Sequence, residues 1–162
     1  MKSVMLSIQP KWCELIANGK KTIEVRKTRP KLETPFKCYI YCTNDKKAIL
    51  DSDGNNFWTD KNYGGEHYYN GKVIGEFVCD RIEKFVVGSL YCDDVEQKAC
   101  ISYREICDYF YGKNYDNTVR IGYGWHISDL VIYDEPKELG EFRNIKGEQI
   151  KRPFQSWGYA EE

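Results

Sequence analysis

The sequence predicts an α+β protein, mainly β, built as a small mixed β-barrel with two or three short helices in a single domain over residues 1–162. Short alternating runs of apolar and polar residues recur between glycine, proline and asparagine turn signals. Aromatic residues make up 15% of the chain, including 13 Tyr and 4 Trp, and aromatic rings favour pleated surfaces. The sequence contains neither a G-x-G-x-x-G motif nor a Walker-type loop, which argues against the common nucleotide-binding folds.

The first elements follow each other closely. An apolar run at residues 4–8 predicts a strand. Pro10 suits the first position of a helix, because its missing N–H costs nothing there, and Gly19 is typical of a helix end. The chain then enters a second predicted strand at residues 22–26.

The middle of the chain contains predicted strands on both sides of a long polar stretch. Residues 36–42 alternate tightly, which predicts a strand. Residues 43–70 are rich in Asp, Asn and Gly turn signals, which predicts a long loop or insertion. Residues 72–85 have strand character, and Glu76 lies there on a mostly apolar face. It is either an edge carboxylate in solvent or one that lines a partly desolvated cavity and has a raised pKa.

The last third of the chain alternates between helix and strand. Residues 102–105 (SYRE) form a capping-box pattern, which predicts a helix that ends at Gly112. The glycines at 122–124 break the chain, and residues 125–133 predict a strand. A turn of helix at 136–139 and a last strand at 154–159 complete the prediction.

The stretch at residues 19–26 (GKKTIEVR) contains most of the candidate chemistry. Successive strand side chains point to opposite sides, so alternation places Thr22, Glu24 and Arg26 on one face and the intervening apolar residues on the other. The second face is then core and the first is available for chemistry. An ordinary half-buried edge strand has the same pattern.

Charge is distributed unevenly along the chain. Residues 1–31 contain eight basic and two acidic residues, a balance of +6, whereas the whole chain has a net charge of −1. This asymmetry predicts a basic surface for an anionic partner such as RNA, single-stranded nucleic acid or a nucleotide. A solvated lysine-rich face without a partner is the alternative. The basic residues are Lys2, Lys11, Lys20, Lys21, Arg26, Lys27, Arg29 and Lys31.

The seven cysteines predict free thiols and no metal centre. No C-x-x-C pair occurs, and the two histidines are distant from each other in the sequence. We therefore interpret the cysteines as small core residues and expect no metal and no cofactor. The first residues show no long apolar stretch behind the lysine, and no run reaches the length of a membrane span. These features predict a cytoplasmic protein without a membrane partner.

Five segments together resemble the ASCH domain family. They are residues 7–10 (SIQP), 19–26 (GKKTIEVR), 71–76 (GKVIGE), 124–130 (GWHISDL) and 152–157 (RPFQSW). The last two are similar to small prophage-type members. The resemblance covers most of the chain apart from the long loop, and the G-x-K-T-x-E-x-R pattern is its most specific part. It implies a fold like the pseudouridine-synthase-and-archaeosine-transglycosylase (PUA) barrels.

The resemblance also implies a function. It implies a cleft that is lined by the Lys-Thr-x-Glu-x-Arg strand and binds RNA or a modified nucleoside. Some small members are amidohydrolases that remove the acetyl group from acetylated cytidine with a lysine, a threonine nucleophile and a glutamate. By position the lysine corresponds to Lys21 and the glutamate to Glu76. Glu24 occupies the position of the threonine, and Thr22 lies two residues earlier on the strand.

Two functions from different classes therefore remain open. In a binding module, Lys11, Lys20 and Arg26 would contact phosphate together with Lys21. Trp157 or one of three tyrosines, Tyr39, Tyr41 or Tyr159, would stack on a base. In a hydrolase acting on a modified nucleoside or on RNA, Lys21 would stabilise an oxyanion. Either Glu24 or Glu76 would then activate water, or Thr22 would be a displaced nucleophile. The types of residue present do not separate the two functions.

Overall fold

The computed structural model describes residues 2–44, 69–88 and 93–162, and its strands and helices confirm an α+β fold that is mainly β. Most of the predicted loop at 43–70 lies outside these residues. The strands are β1 (Ser3–Ile8), β2 (Ile23–Arg26), β3 (Phe36–Cys42), β4 (Lys72–Cys79), β5 (Ile82–Val87), β6 (Arg120–His126), β7 (Ser128–Lys137) and β8 (Trp157–Ala160). The helices are α1 (Pro10–Ala17), α2 (Asp93–Ala99) and α3 (Tyr103–Tyr111), and a 3₁₀ turn covers Leu139–Glu141.

The described strands form two hydrogen-bonded sheets. The larger sheet has the order β7-β4-β3-β1-β8, and the smaller has the order β2-β6-β5. β1 runs parallel to β3, and the other pairs are antiparallel. The first sheet is therefore mixed, as the predicted barrel requires. β2 is an edge strand of the smaller sheet, and this leaves one of its sides open to other parts of the chain.

The principal core lies beside the larger sheet and is closed by α1. The buried face of α1 consists of Pro10, Cys13 and Ile16, and the latter two pack with the apolar residues of β1 and β3. Trp125 of β6 is fully buried in the same cluster, so it joins the smaller sheet to the larger one. A second cluster packs α2 and α3 against β2 and β5.

Several predicted boundaries are wrong, each for a local reason. The single strand predicted at 72–85 is two strands separated at Asp80 and Arg81, and α2 was not predicted. The glycines at 122–124 lie inside β6 and do not break it. A Cβ at Gly122 would lie 2.4 Å from the ring of Phe85, so this glycine allows an aromatic ring to approach the strand. The strand β7 continues to Lys137, where a turn of helix was predicted.

A bulge changes the alternation of β4. The register with β3 shifts between Ile40 and Tyr41, so that Gly75 pairs with Ile40 while Val73 pairs with Tyr41. Ile74 is the extra residue, and it packs in the principal core, on the opposite side from Val73. An inserted residue moves all subsequent side chains to the other face. Strict alternation predicts Ile74 on the same face as Glu76, whereas in the structure Ile74 packs in the principal core and Glu76 contacts Tyr133 on the other face.

Four of the six described cysteines are small core residues. Cys13, Cys38, Cys42 and Cys79 are buried, and all described cysteines are free thiols. Burial raises the pKa of Cys13 and Cys38 well above the ordinary value, which keeps them neutral. In the part of the chain that the structure describes, no three His, Cys, Asp or Glu side chains cluster as metal ligands. None of the described helices has the length and apolarity needed to cross a membrane.

Candidate nucleic-acid site

A cavity of about 460 Å³ opens between α1, α3, β2 and the segment before β8. Its walls include apolar and aromatic side chains, among them Trp12, Ile101 and Phe154. The lining residues that are exposed, and therefore mark its mouth, are Gln9, Glu105, Tyr109, Pro153 and Gln155. Its volume lies within the range of small-ligand sites, which is roughly 300–1,000 Å³.

Three buried charged side chains form the floor of this cavity. Lys21 is 4% exposed, Glu24 6% and Arg26 7%. The Nη2 of Arg26 lies 2.9 Å from Oε1 of Glu24, and the Nζ of Lys21 lies 3.3 Å from Oε2. Lys21 also donates to the carbonyl of Ala99 at 2.8 Å. We call these three residues the floor cluster.

Local structure explains how the floor cluster forms. The helix α1 ends at Ala17 and is capped by Asn18, and Gly19 adopts a φ of 75°, a conformation that favours glycine. The backbone N–H of Lys21 then donates to the carbonyl of Leu15 at 2.9 Å, which directs the chain back along the helix. Glu24 and Arg26 follow two residues apart on β2, so their side chains point to the same face. The predicted alternation is confirmed for these two residues.

Arg26 connects three parts of the chain. Besides Glu24, its Nη2 donates to the carbonyl of Ser7 at 2.9 Å, and its Nη1 donates to Oγ of Ser156 at 3.2 Å. These bonds hold β1 and the segment before β8 against β2. The planar guanidinium allows one side chain to reach all three partners.

Two buried polar atoms of the floor cluster have no hydrogen-bond partner within the described residues. They are Oε2 of Glu24 and Nε of Arg26. The contact between Lys21 and Oε2 is an ion pair that lacks hydrogen-bond geometry. Buried polar groups are normally satisfied, so each exception calls for an explanation, and a bound water or ligand is one. The floor therefore has one acceptor and one donor that are unused.

The mouth of the cavity contains a further ion pair and an aromatic ring. Lys11 of α1 lies 3.3 Å from Glu105 of α3. The backbone N–H of Ser102, which donates to the Glu105 carboxylate, lowers the pKa of that carboxyl. Tyr109 lines the mouth, and the Nζ of Lys27 lies 4.9 Å from the centre of its ring. Burial raises the pKa of Tyr109, which keeps the hydroxyl neutral.

Comparison with known proteins places the chain in a family. A sequence model described as the ASCH domain matches residues 6–147. The chain belongs to the ASCH domain family. The predicted membership of this family and the predicted PUA-like fold are thus confirmed. ASCH domains are generally thought to bind RNA.

Solved structures of another ASCH protein share the fold. The ASCH protein of Zymomonas mobilis superimposes with a TM-score of 0.60 at 20% identity, over 99% of this chain and 89% of that one. A serine-to-alanine mutant of that protein gives a TM-score of 0.66 at 20% identity over the same shares. A tyrosine-to-phenylalanine mutant gives 0.60 at 19%, over 100% and 92%. No curated protein matches the chain.

The predicted catalytic residues of this ASCH domain do not all lie in the same cavity. Lys21 and Glu24 lie together on the floor, but Thr22 precedes β2 and is exposed. Its hydroxyl is 3.5 Å from the carbonyl of Lys98, and it does not line the cavity. Glu76 does not line the cavity either.

Glu76 instead belongs to a polar group beside a third core cluster, in which Tyr39, Val73 and Phe142 pack together. Its carboxylate accepts from Nζ of Lys37 at 2.7 Å and from the hydroxyl of Tyr133 at 2.6 Å. Burial raises the pKa of Glu76, but these two hydrogen bonds outweigh burial and the net pKa is lowered. The expected rise in its pKa is therefore not found. Tyr133 correspondingly has a raised pKa, because of burial and the Glu76 carboxylate.

The predicted binding residues are also distributed over several places. Arg26 lies on the floor and Lys11 is beside the mouth, whereas Lys20 is exposed and does not line the cavity. Neither Trp157 nor Tyr159 lines it. Both pack against the principal core, and the indole N–H of Trp157 donates to the hydroxyl of Thr28 at 2.9 Å. Their predicted role in stacking on a base is therefore not supported at this cavity.

Sequence analysis missed the residues that complete the site. Tyr109 and Glu105 come from a helix that was predicted from its cap and its apolar stripe but was not assigned to the site, and Ser156 comes from the segment before β8. Trp12 is the residue that the sequence could most easily have indicated, because it lies on α1, directly before the GKKTIEVR stretch. In the structure its ring centre is 5.1 Å from Nζ of Lys21. No sequence pattern connects the other residues to β2.

Proposed function

We propose that this ASCH domain binds RNA by accepting one unpaired base into the cavity above the floor cluster. The observation that carries the proposal is the floor itself, where a buried acceptor on Glu24 and a buried donor on Arg26 have no partner within the described residues. The edge of a base offers donors and acceptors side by side, and unpaired bases are what RNA-binding domains usually recognise.

The charges of the lining favour a base over a phosphate. Of the lining residues, Lys21 and Arg26 are basic, and Glu24 and Glu105 are acidic, so the lining is balanced in charge. The predicted basic cleft is therefore neutral over its whole lining, although the floor cluster itself has two cations and one anion. A neutral planar group with polar edges fits such a site, because a phosphate would lie beside a buried carboxylate. The phosphates of the RNA would then remain outside the mouth.

The test compares the same sequence in single-stranded and duplex RNA. A fluorescently labelled single-stranded decamer is titrated with the protein, and its anisotropy gives the affinity. We expect the duplex to bind at least about tenfold more weakly, because extruding a paired base costs a few kcal/mol. The matched control for entry of the base is a decamer in which one nucleotide is abasic and the flanking nucleotides do not themselves enter the cavity. Equal affinities for single strand and duplex would contradict the proposal.

A hydrolase acting on a modified nucleoside is the second candidate. The observation that favours it is the proximity of Lys21 to a Glu24 oxygen that has no hydrogen bond. In such an enzyme Glu24 would activate water and Lys21 would stabilise the developing oxyanion. The threonine nucleophile of the acetylcytidine amidohydrolases has no counterpart in the cavity, because Thr22 points elsewhere. A carboxylate does not replace a hydroxyl nucleophile in amide cleavage.

We expect the native protein to release no acetate from acetylated cytidine above the background rate. Chromatography of the nucleoside after incubation with the protein measures this directly. The result that would favour the second candidate is steady turnover which Glu24→Gln removes and Thr22→Ala leaves unchanged. Turnover that Thr22→Ala removes would show that the exposed hydroxyl is the nucleophile.

A further inference from the structure

The segment that follows β2 contains only basic charges. Residues 27–31, which we call the basic connector, include Lys27, Arg29 and Lys31 and no acidic residue. All three side chains are exposed. Within the described residues none of them forms an ion pair with a carboxylate. Their positive charge is therefore available to an external anion.

The basic connector is attached to β8, and this attachment fixes its path. The indole N–H of Trp157 donates to the hydroxyl of Thr28 at 2.9 Å. The backbone N–H of Lys31 donates to the hydroxyl of Tyr159 at 3.2 Å. Arg29 also donates to the carbonyl of Leu32 at 3.2 Å. A connector held at both ends presents its cations in a fixed order, so binding loses less conformational entropy.

One end of the basic connector lies at the mouth of the cavity. Lys27 directly follows Arg26 of the floor cluster, and its Nζ lies over the ring of Tyr109, which lines the mouth. One helical turn from Tyr109 on α3, Glu105 is paired with Lys11. A phosphate there would meet a carboxylate, whereas a phosphate beside Lys27 would not. The charges at the mouth therefore favour the side of Lys27.

We infer that the basic connector binds the phosphates of the single-stranded RNA whose base enters the cavity, with Lys27 at the first phosphate outside the mouth. This inference rests on the proposed function and adds the path of the strand. It assigns the phosphate contacts to Lys27 and Lys31, and it makes Trp157 and Tyr159 positioning residues for the connector. Single-stranded RNA fits because its backbone follows a cationic track while one base is turned aside.

The test measures how RNA affinity depends on salt. Two double variants are compared, Lys27→Ala with Lys31→Ala in the connector, and Lys84→Ala with Lys146→Ala elsewhere on the surface. All four lysines are exposed, and both double variants lose the same charge. Each phosphate contact to a single strand contributes roughly 0.7 to the slope of log affinity against log salt. We expect the connector variant to reduce the slope by roughly 1.4 and the surface variant to leave it unchanged.

Binding of free cytidine tests the base site independently of the phosphate contacts along the basic connector. Cytidine has no phosphate, so its affinity should be the same in the wild type and in the connector variant. Trp157→Phe, which removes the N–H donated to Thr28, should weaken RNA binding without changing cytidine binding. The inference is overturned if the connector variant retains the wild-type slope, or if the surface variant loses as much, while RNA binding itself persists. Absence of RNA binding by the wild type would overturn the proposed function and the inference together.

Discussion

Replacing Lys21 by Ala is expected to lower the free energy of unfolding by about 3 kcal/mol, whereas Lys20→Ala should change it by less than about 0.5 kcal/mol. Removing one partner of a buried ion pair leaves the other charge uncompensated, and the usual cost is about 3–5 kcal/mol. The lower end applies because Arg26 still faces Glu24 at 2.9 Å. The carbonyl of Ala99 also loses the donor it has from Lys21. Urea unfolding followed by tryptophan fluorescence measures the difference.

The adjacent lysine is a matched control for this prediction. Lys20 and Lys21 are identical in type and adjacent in sequence, but Lys20 is exposed and Lys21 is buried. Their substitutions remove the same charge and the same side chain. Equal changes in unfolding free energy for the two variants would contradict the buried ion pair at the floor of the cavity.

Glu24→Gln is expected to lower the affinity for cytidine by roughly tenfold to hundredfold, because a hydrogen bond to a charged group contributes about 1.5–3 kcal/mol. The amide retains the size of the side chain, so the shape of the cavity changes little. The exocyclic amine of cytidine would lose a carboxylate acceptor, and Lys21 and Arg26 would lose their counter-charge. Isothermal titration calorimetry with cytidine measures the affinity of the folded variant.

Glu76→Gln is the control for the Glu24 substitution. Both glutamates were predicted as catalytic residues, but Glu76 bonds to Lys37 and Tyr133 away from the cavity. Its substitution should leave cytidine affinity unchanged. A loss of affinity in Glu76→Gln as large as that in Glu24→Gln would show that the cavity is not the binding site.

The proposed site is assembled around an edge strand. β2 has a strand neighbour, β6, on one side, and its charged face lies towards α1, α3 and the segment before β8. Each of these neighbours supplies a partner to the floor or the mouth. Arg26 unites β2 with the carbonyl of Ser7 and the hydroxyl of Ser156. Binding of a base would therefore be sensitive to the position of the end of the chain as well as to β2.

The two predicted glutamates show where sequence analysis succeeds and fails. Glu24 was placed on the same face as Arg26 by the two-residue period of a strand, and the structure confirms it. Glu76 was considered as a residue that lines a cavity, because its strand face is mostly apolar. Which cavity a strand face lines, however, depends on how the sheets pack against each other. The bulge at Ile74 further shows that one inserted residue changes the face of its neighbours.

The sequence by itself determined the class of fold and the family. It also determined the helix α1 with its glycine end and the common face of Glu24 and Arg26, because these two features depend on neighbours within a few positions. Only the tertiary structure decided that Lys21 is buried while Lys20 is exposed, that Tyr109 lines the cavity and that Ser156 bonds to Arg26. Those facts depend on contacts between distant segments, such as Lys21 with Ala99, 78 residues apart, and Arg26 with Ser156, 130 residues apart. No local period or spacing encodes such distances, since they arise from the burial of the whole core.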